Sequence, residues 1–430
     1  MDIPSAWLEA GASAIEVVRA LRSRQHKAYL VGGCVRDLLL DTIPHDFDVA
    51  TSARPKQIIS LFGPRRARRV GRRFPIVLVR AGERGAAPVE VTTFRGEGSR
   101  VDSSANGQIR RDISYGSLRQ DVLRRDLSIN ALYLDLDQGC VFDHVDGIED
   151  IQQGLIRIIG DPPLRLREDP VRLLRCVRFA ARLELDFAAE TRAALDGSGM
   201  LLRAVSPARL YDEFYKTLAH DRWECAWELL LELDALRHAF PMLAAALNDP
   251  SSGQGALLET ALEALAESSD RLRGARRQIL FYAAVLWGAL ERALAAAGRD
   301  APGDRSDALG DVGLLLLQQL SVNIRVPEPH RARMLNLWRL QGRLEARVEP
   351  HHTVAASSFD DALALLGWRI RAGMIEDAGR LHFWRSQQRP SPSETRRRRN
   401  WDGSEEEERR SGERSGHRRE RRRHGRRRRS

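Results

Sequence analysis

Lysine is nearly missing from this sequence. It occurs at Lys27, Lys56 and Lys216 only, against a basic total of 69 in 430 residues. Almost every positive charge is therefore a guanidinium, which can grip phosphate bidentately and stack on bases. Cysteine is equally sparse. Cys34, Cys140, Cys176 and Cys225 lie far apart and form no CxxC pair, which indicates neither a zinc site nor a disulfide framework. No run of 18 apolar residues exists. The first 25 residues, "MDIPSAWLEAGASAIEVVRALRSRQ", read as an amphipathic helix with acids, without the basic start and apolar middle of a secretion signal. A soluble, cytoplasmic protein is the expectation.

What is present is unevenly distributed. The formal charge is +10, but residues 391–430 hold 16 Arg against 8 acids, which leaves +2 for the other 390. Past Gln388 the chain has almost no apolar residues and blocks of charge, a composition that cannot bury enough surface to fold. The hydrophobic fraction of 43% is that of a globular protein, and at about 150 residues per domain the length suggests two or three units. "KAYLV", "DFDVAT", "FPIVLVRA", "VEVTTFR" and "CVFDHV" read as strands; "CVRDLLL", "RPKQIISLF", "DVLRRDLSINAL" and "IEDIQQGL" read as helices. Between Gly96 and Arg119 lies a polar stretch too long for an ordinary connection, expected to be a mobile, functional loop. From about Asp169 onward strand patterns vanish. Segments such as "ALLETALEALAES" and "RARMLNLWRLQGRLE" place apolar residues at helical spacing, so the C-terminal half is expected to be all-helical.

Four clusters could carry chemistry. Asp46 and Asp48 in "HDFDVAT" are two apart on a strand, so their carboxylates share a face and repel unless a cation sits between them. "LVGGCVRD" sets Gly32 and Gly33 between a strand and a helix, where bare backbone can approach an anion, with Arg36 one turn further on. Glycine turn, arginine and paired aspartates together suit a phosphate-plus-metal site, since Mg²⁺ prefers oxygen ligands. "LRRDLSINAL" supplies Arg124, Arg125 and Asp126. A two-metal site wants a third acid; Asp126 is preferred for it and Glu90 is the rival. In "LREDPVRLLRCVRFAARL", Arg172, Arg175, Arg178 and Arg182 form one helical stripe, with Asp169 three residues before Arg172 on the same face. A carboxylate acceptor and a guanidinium donor one turn apart can pair with the edge of a base.

The ordered set "GGCVRD…DFD…RRD…EDPVR" resembles the head and neck of the nucleotidyltransferase branch that contains bacterial poly(A) polymerases and CCA-adding enzymes. The resemblance implies an α+β fold: an N-terminal helix (1–27), a small catalytic head with a five-stranded sheet (28–150), a helical neck that selects the nucleotide (151–218), a helical RNA-binding body and tail (219–388), and a disordered Arg-rich C-terminus (389–430). It implies that Asp46 and Asp48 bind two Mg²⁺ ions and that Asp126 completes the catalytic carboxylates. Gly32, Gly33, Arg36 and Arg125 would hold the triphosphate of ATP, and Asp169, Arg172 and Arg175 would select the base. "RVGRRFPIVLV" (69–79) is similar to the element that marks poly(A) polymerases, departing from it at Arg69, and "SPARLYDEFYK" resembles a further segment of that group. The implied activity is template-independent addition of AMP to RNA 3′ ends, promoting RNA turnover, with RNA-decay proteins as further partners. The alternatives are a CCA-adding tRNA nucleotidyltransferase and a non-catalytic RNA-binding protein on the same scaffold.

Overall fold

The computed structural model describes residues 3–71, 75–82, 86–96, 101–103, 109–112, 114–267, 274–299, 305–376 and 379–387. The expectation for the Arg-rich tail, including Glu405–Glu408, lies outside them.

The short apolar runs of the first 140 residues become strands: β1 (Ala28–Val31), β2 (Asp48–Thr51), β3 (Ala67–Val70), β4 (Ile76–Val79), β5 (Val89–Thr93), β6 (Val101–Ser103), β7 (Ile109–Asp112), β8 (Tyr133–Asp135) and β9 (Cys140–Phe142). Seven of them form one sheet in the order β3-β4-β5-β2-β1-β8-β9. Its one parallel pair is β2 with β5. Five strands were expected, and β1 to β5 supply them contiguously; the β8–β9 hairpin adds two more beyond β1. All three residues of β8 are buried, so its sequence shows no alternation to read. The stretch from Gly96 to Arg119 is only partly described. There, β6 and β7 pair antiparallel and Arg95 bridges Tyr115, so the segment is partly regular structure.

Alternation along the strands sorts the sheet into two faces. Leu30, Val49, Val91 and Leu134 pack against the helices α1 (Ser5–Ala10), α2 (Ala12–Arg22), α3 (Gly33–Leu39) and α4 (Pro55–Phe62). The opposite face carries a smaller apolar group, with Val31, Ala50 and Tyr133 against Val122 of α5 (Leu118–Arg124). That face keeps room for charge.

The expected single N-terminal helix is two helices broken at Gly11. A β-carbon there would stand 2.6 Å from Cε1 of Phe47, so the chain needs glycine for the close approach. Trp7 meets Phe47 edge-on at 4.8 Å, and its indole N–H donates to the carbonyl of Cys34 at 3.3 Å. Phe47 stands between Asp46 and Asp48, so these helices brace the acidic turn from behind. The expected helix "DVLRRDLSINAL" also stops early. It starts on a capping box between Ser117 and Gln120 and ends at Arg124, and Arg125 is extended. The carbonyl of Asp126 accepts from the amide of Ile159, and Leu127 bridges Ile158. Pairing with that second segment outcompetes helical propensity.

Beyond the sheet come α6 (Gly147–Gln153), α7 (Pro162–Glu168), α8 (Val171–Leu183), α9 (Ala189–Leu195) and α10 (Pro207–Leu218). The two-residue strands Leu155–Ile156 and Asp186–Phe187 pair in parallel, an exception to the expected loss of strands after Asp169. From α9 to Gln387 every element among the described residues is helical, as expected. One continuous apolar core runs from Leu127 to Trp384, with Trp287 and Trp338 fully buried in it. No single helix among the described residues is long and apolar enough to cross a membrane.

Because Trp7 is 1% exposed and spans the joint between α1, α3 and Phe47, Trp7→Ala is expected to cost roughly 3–5 kcal/mol. Urea denaturation measures it, and a loss below about 1 kcal/mol contradicts the bracing role.

Candidate active site

Register places the acids. Asp48 opens β2, where it pairs with Glu90 of β5 on one side and Val31 of β1 on the other; Val31 in turn pairs with Tyr133. Cross-strand partners project to the same face. Asp48, Glu90 and Tyr133 therefore stand in one row, with exposed Asp46 two residues before Asp48. Burial, then the charges of Glu90 and Asp46, push the Asp48 carboxyl up to about 6, against the opposing pull of Arg125 and Arg175. A carboxylate raised by two neighbouring acids is a site that gains from a cation. Among the described residues no three Asp, Glu, His or Cys side chains close into a metal cage. Mg²⁺ does not require one, being held by one or two carboxylates together with substrate phosphates and water.

The glycine turn faces a guanidinium. Gly32 has φ 81° and ψ −131°, and a β-carbon there would lie 3.7 Å from both Nη1 of Arg125 and the carbonyl of Asn130. Only glycine takes that conformation without strain. Arg125 donates through Nε to the Tyr133 hydroxyl at 2.7 Å and reaches Asp121 at 3.3 Å. Tyr133 donates to Asp121 at 2.5 Å, and the backbone N–H and Nε of Arg95 reach the other Asp121 oxygen at 3.0 Å. Burial opposes the charge on Asp121, but Arg125 and Arg95 prevail and hold its carboxyl down to about 2. Arg36 is buried. Its Nη1 donates to Oδ1 of Asn130 at 2.6 Å, and its other nitrogens hold Asp37 at 2.9 and 2.6 Å.

Asp126 follows α5 and is not on a strand of the sheet, and Arg175, which holds it, also acts on Asp48. Arg175 donates to the Asp126 carboxylate through Nε, and despite burial Arg175 and Arg172 hold that carboxyl well below the usual range. The structure thus sets Asp48 beside Glu90, with the charge of Asp46 acting on Asp48, and gives Asp126 to a guanidinium. Asp169 does not share a helical face with Arg172, because it closes α7 and precedes α8. Both its oxygens accept from Arg209 of α10, at 2.7 and 3.0 Å. Arg172 donates to the carbonyl of Arg165 at 2.5 Å, and burial beside Arg165 pushes it down to about 10. Arg178 pairs with Glu213 at 3.0 Å. The arginine stripe of α8 is turned largely inward, and only Arg182 is exposed. Arg36 of the head and Arg175 and Arg178 of α8 surround the ring of Phe179 at 5.0, 5.5 and 4.5 Å. The buried Nε of Arg172 and Nδ2 of Asn130 find no hydrogen-bond partner. Such donors suit an anionic or base-bearing ligand.

Sequence reasoning missed Asp121, Asn130, Tyr133 and Arg209. The i,i+4 spacing of Asp121 and Arg125 is a readable signal. Arg209 lies forty residues from Asp169, and no local pattern links them.

Residues 28–157 match the family described as "Poly A polymerase head domain", residues 184–247 that of "Probable RNA and SrmB- binding site of polymerase A", and residues 305–429 that of "Polymerase A arginine-rich C-terminus". The Poly(A) polymerase I of Haemophilus influenzae is 33% identical over 386 residues, covering 87% of this chain and 84% of the relative. The chain belongs to the poly(A) polymerase family. A CCA-adding enzyme of Lactobacillus helveticus is 37% identical, but over 47% of this chain and 49% of its own. Among solved structures, a CCA-adding enzyme in an apo form shares the fold with a TM-score of 0.55 at 17% identity, covering 86% of this chain and 81% of that one. The α+β architecture is thus that of the nucleotidyltransferase branch to which poly(A) polymerases belong.

The crowding at Asp48 has a thermodynamic signature. Its carboxyl titrates near 6 in the folded chain and near about 4 unfolded, so the native state holds its proton more tightly and loses stability as pH rises between these values. Asp48→Asn is expected to stabilise the metal-free protein by roughly 1–3 kcal/mol at pH 7 and not at pH 4. Denaturation at both pH values measures it; equal effects contradict the electrostatic account.

Proposed function

We propose that the site transfers AMP from ATP to the 3′-hydroxyl of RNA without a template, extending RNA ends as poly(A) and so promoting their turnover. The observation that carries this reading is the row of Asp48 and Glu90 beside Asp46, faced by Arg125 across the sheet. Asp46 and Asp48 would hold two Mg²⁺ ions, which when bound lower the pKa of the attacking hydroxyl and neutralise charge on the phosphates. Glu90, the rival at the sequence level, takes the third carboxylate position in this reading. Asp126 acts through Arg175, holding it at the neck. Gly32 and Gly33 allow close approach to the triphosphate, Arg125 offers it charge, and Arg36 fixes Asn130, whose free Nδ2 points to a ligand contact. Asp169, Arg172 and Arg175 line the neck where the base would be selected, with Arg209 setting the position of Asp169.

Two features favour this over CCA addition. The poly(A) polymerase relative aligns over 87% of the chain, against 47% for the CCA-adding enzyme, and residues 305–429 match the arginine-rich C-terminus described for polymerase A. A cytoplasmic location, RNA 3′ ends as the polymer substrate and RNA-decay proteins as partners belong to the same reading.

The test is incubation of the purified protein and Mg²⁺ with a generic RNA, and with tRNA lacking its end, offering ATP alone or ATP with CTP. Long A-tracts on the generic RNA are expected, and Asp48→Ala is expected to abolish incorporation while RNA binding survives. Addition of C-C-A followed by arrest would reverse the choice, and normal turnover by Asp48→Ala would remove the site.

A further inference from the structure

The cross-strand row through Asp48 does not end at Glu90. Glu90 pairs with Leu78 of β4, and Leu78 pairs with Arg68 of β3, so Arg68, Leu78, Glu90 and Asp48 are in register across four strands. The residues between them in sequence, Ala67, Val77, Val79 and Val91, are buried against the opposite layer. Arg68 therefore projects to the same face as the catalytic acids, at the sheet's open edge, since β3 is the terminal strand. At about 4.8 Å per strand, three strands separate it from Asp48 by roughly 14 Å.

A cleft of about 450 Å³ opens there, lined by Arg65, Arg68, Leu78, Arg80 and Pro88 among others. Arg65, Arg68 and Arg80 are exposed, and among the described residues no carboxylate pairs with them. The neighbouring Arg66 is held by Glu16 at 3.1 Å and is not free in this way. Between Gly63 and Gly82 the sequence has seven arginines and no acid, although the chain outside its last forty residues is almost neutral. The cluster is thus a local feature and not part of a general positive field. Like-charged guanidiniums around one cleft repel one another unless an anion joins them.

We infer that this edge cleft binds the phosphate backbone of the RNA strand a few nucleotides upstream of its reacting 3′ end. The inference rests on the reading of the site as an RNA-extending one. A polyanion gripped at Arg65, Arg68 and Arg80 lies along the sheet face, with its end directed across Leu78 toward Glu90 and Asp48. Guanidinium forks suit phosphate oxygens, and contacts to phosphate carry no sequence information. Leu78 and Pro88 offer apolar surface on which a base or sugar can rest.

The test replaces Arg65, Arg68 and Arg80 by serine in the full chain and measures extension of single-stranded RNA primers of increasing length with ATP. The KM for primers long enough to reach the cleft is expected to rise about tenfold, with the KM for ATP within about twofold. The plot of log affinity against log salt is expected to lose roughly two units of slope, from three phosphate contacts at about 0.7 each. Replacement of the same three positions by lysine is expected to restore most of the affinity. Since the three side chains are exposed, an unchanged melting temperature checks the fold. If wild type extends RNA and the serine variant shows the same primer KM and salt slope, the inference is overturned while the reading of the active site stands. If wild type incorporates no nucleotide, that reading fails first. Loss of affinity that the lysine variant does not restore overturns the phosphate contact.

Discussion

Repulsion between carboxylates held side by side on one sheet face is the constraint around which the head is arranged. Backbone pairing sets Asp48 beside Glu90 in the ladder between β2 and β5. Burial, with the charges of Glu90 and Asp46 added to it, raises the Asp48 carboxyl. What offsets it within the protein is the pull of Arg125, itself fixed by Tyr133 and Asp121, and of Arg175. The layer behind the sheet contributes rigidity: Gly11 lets Phe47 sit close, and Trp7 closes over it. A divalent cation would replace an imperfect balance by a direct one, which is how stability given up in folding becomes affinity for a substrate complex.

The joint between the head and α8 is built largely from arginines. Three guanidiniums gather around Phe179, one from the head and two from α8. Asp126 ties α8 to the segment after α5, and Asp169 ties the start of α8 to α10. Each acid is a crosslink between elements distant in sequence. Among the buried nitrogens without a hydrogen bond, Nε of Arg172 and Nδ2 of Asn130 lie where a nucleotide could satisfy them.

Much of this was legible in the sequence, for identifiable reasons. "LVGGCVRD" carries short-range geometry, a φ that only glycine takes, and folds as read, whereas in "DFDVAT" the strand begins only at Asp48 and leaves Asp46 in the segment before it. The amphipathic periods of the C-terminal half give helices for the same reason. Readings failed where partners from afar decide. Asp126 follows an arginine pair in a helix-like run, yet pairing with Ile158 and Ile159 ends the helix, and Arg175, forty-nine residues away, takes the carboxylate. Glu90 is legible in the sequence only as a rival to Asp126, and the β2–β5 register is what places it beside Asp48. β8 was hidden because both its faces are covered. Asp169 looked like part of a helical stripe, whereas the proline after it starts a new helix.

The measurement that bears most directly on the carboxylate row is the binding of Mn²⁺, as a spin-active substitute for Mg²⁺, followed by electron paramagnetic resonance in the presence of ATP. Glu90→Gln is expected to weaken binding at least about tenfold, the effect of losing roughly 1.4 kcal/mol of interaction with the ion, while Asp126→Asn leaves it within about twofold. Unchanged Mn²⁺ affinity in Glu90→Gln together with its loss in Asp126→Asn would contradict the account and return the third carboxylate to Asp126.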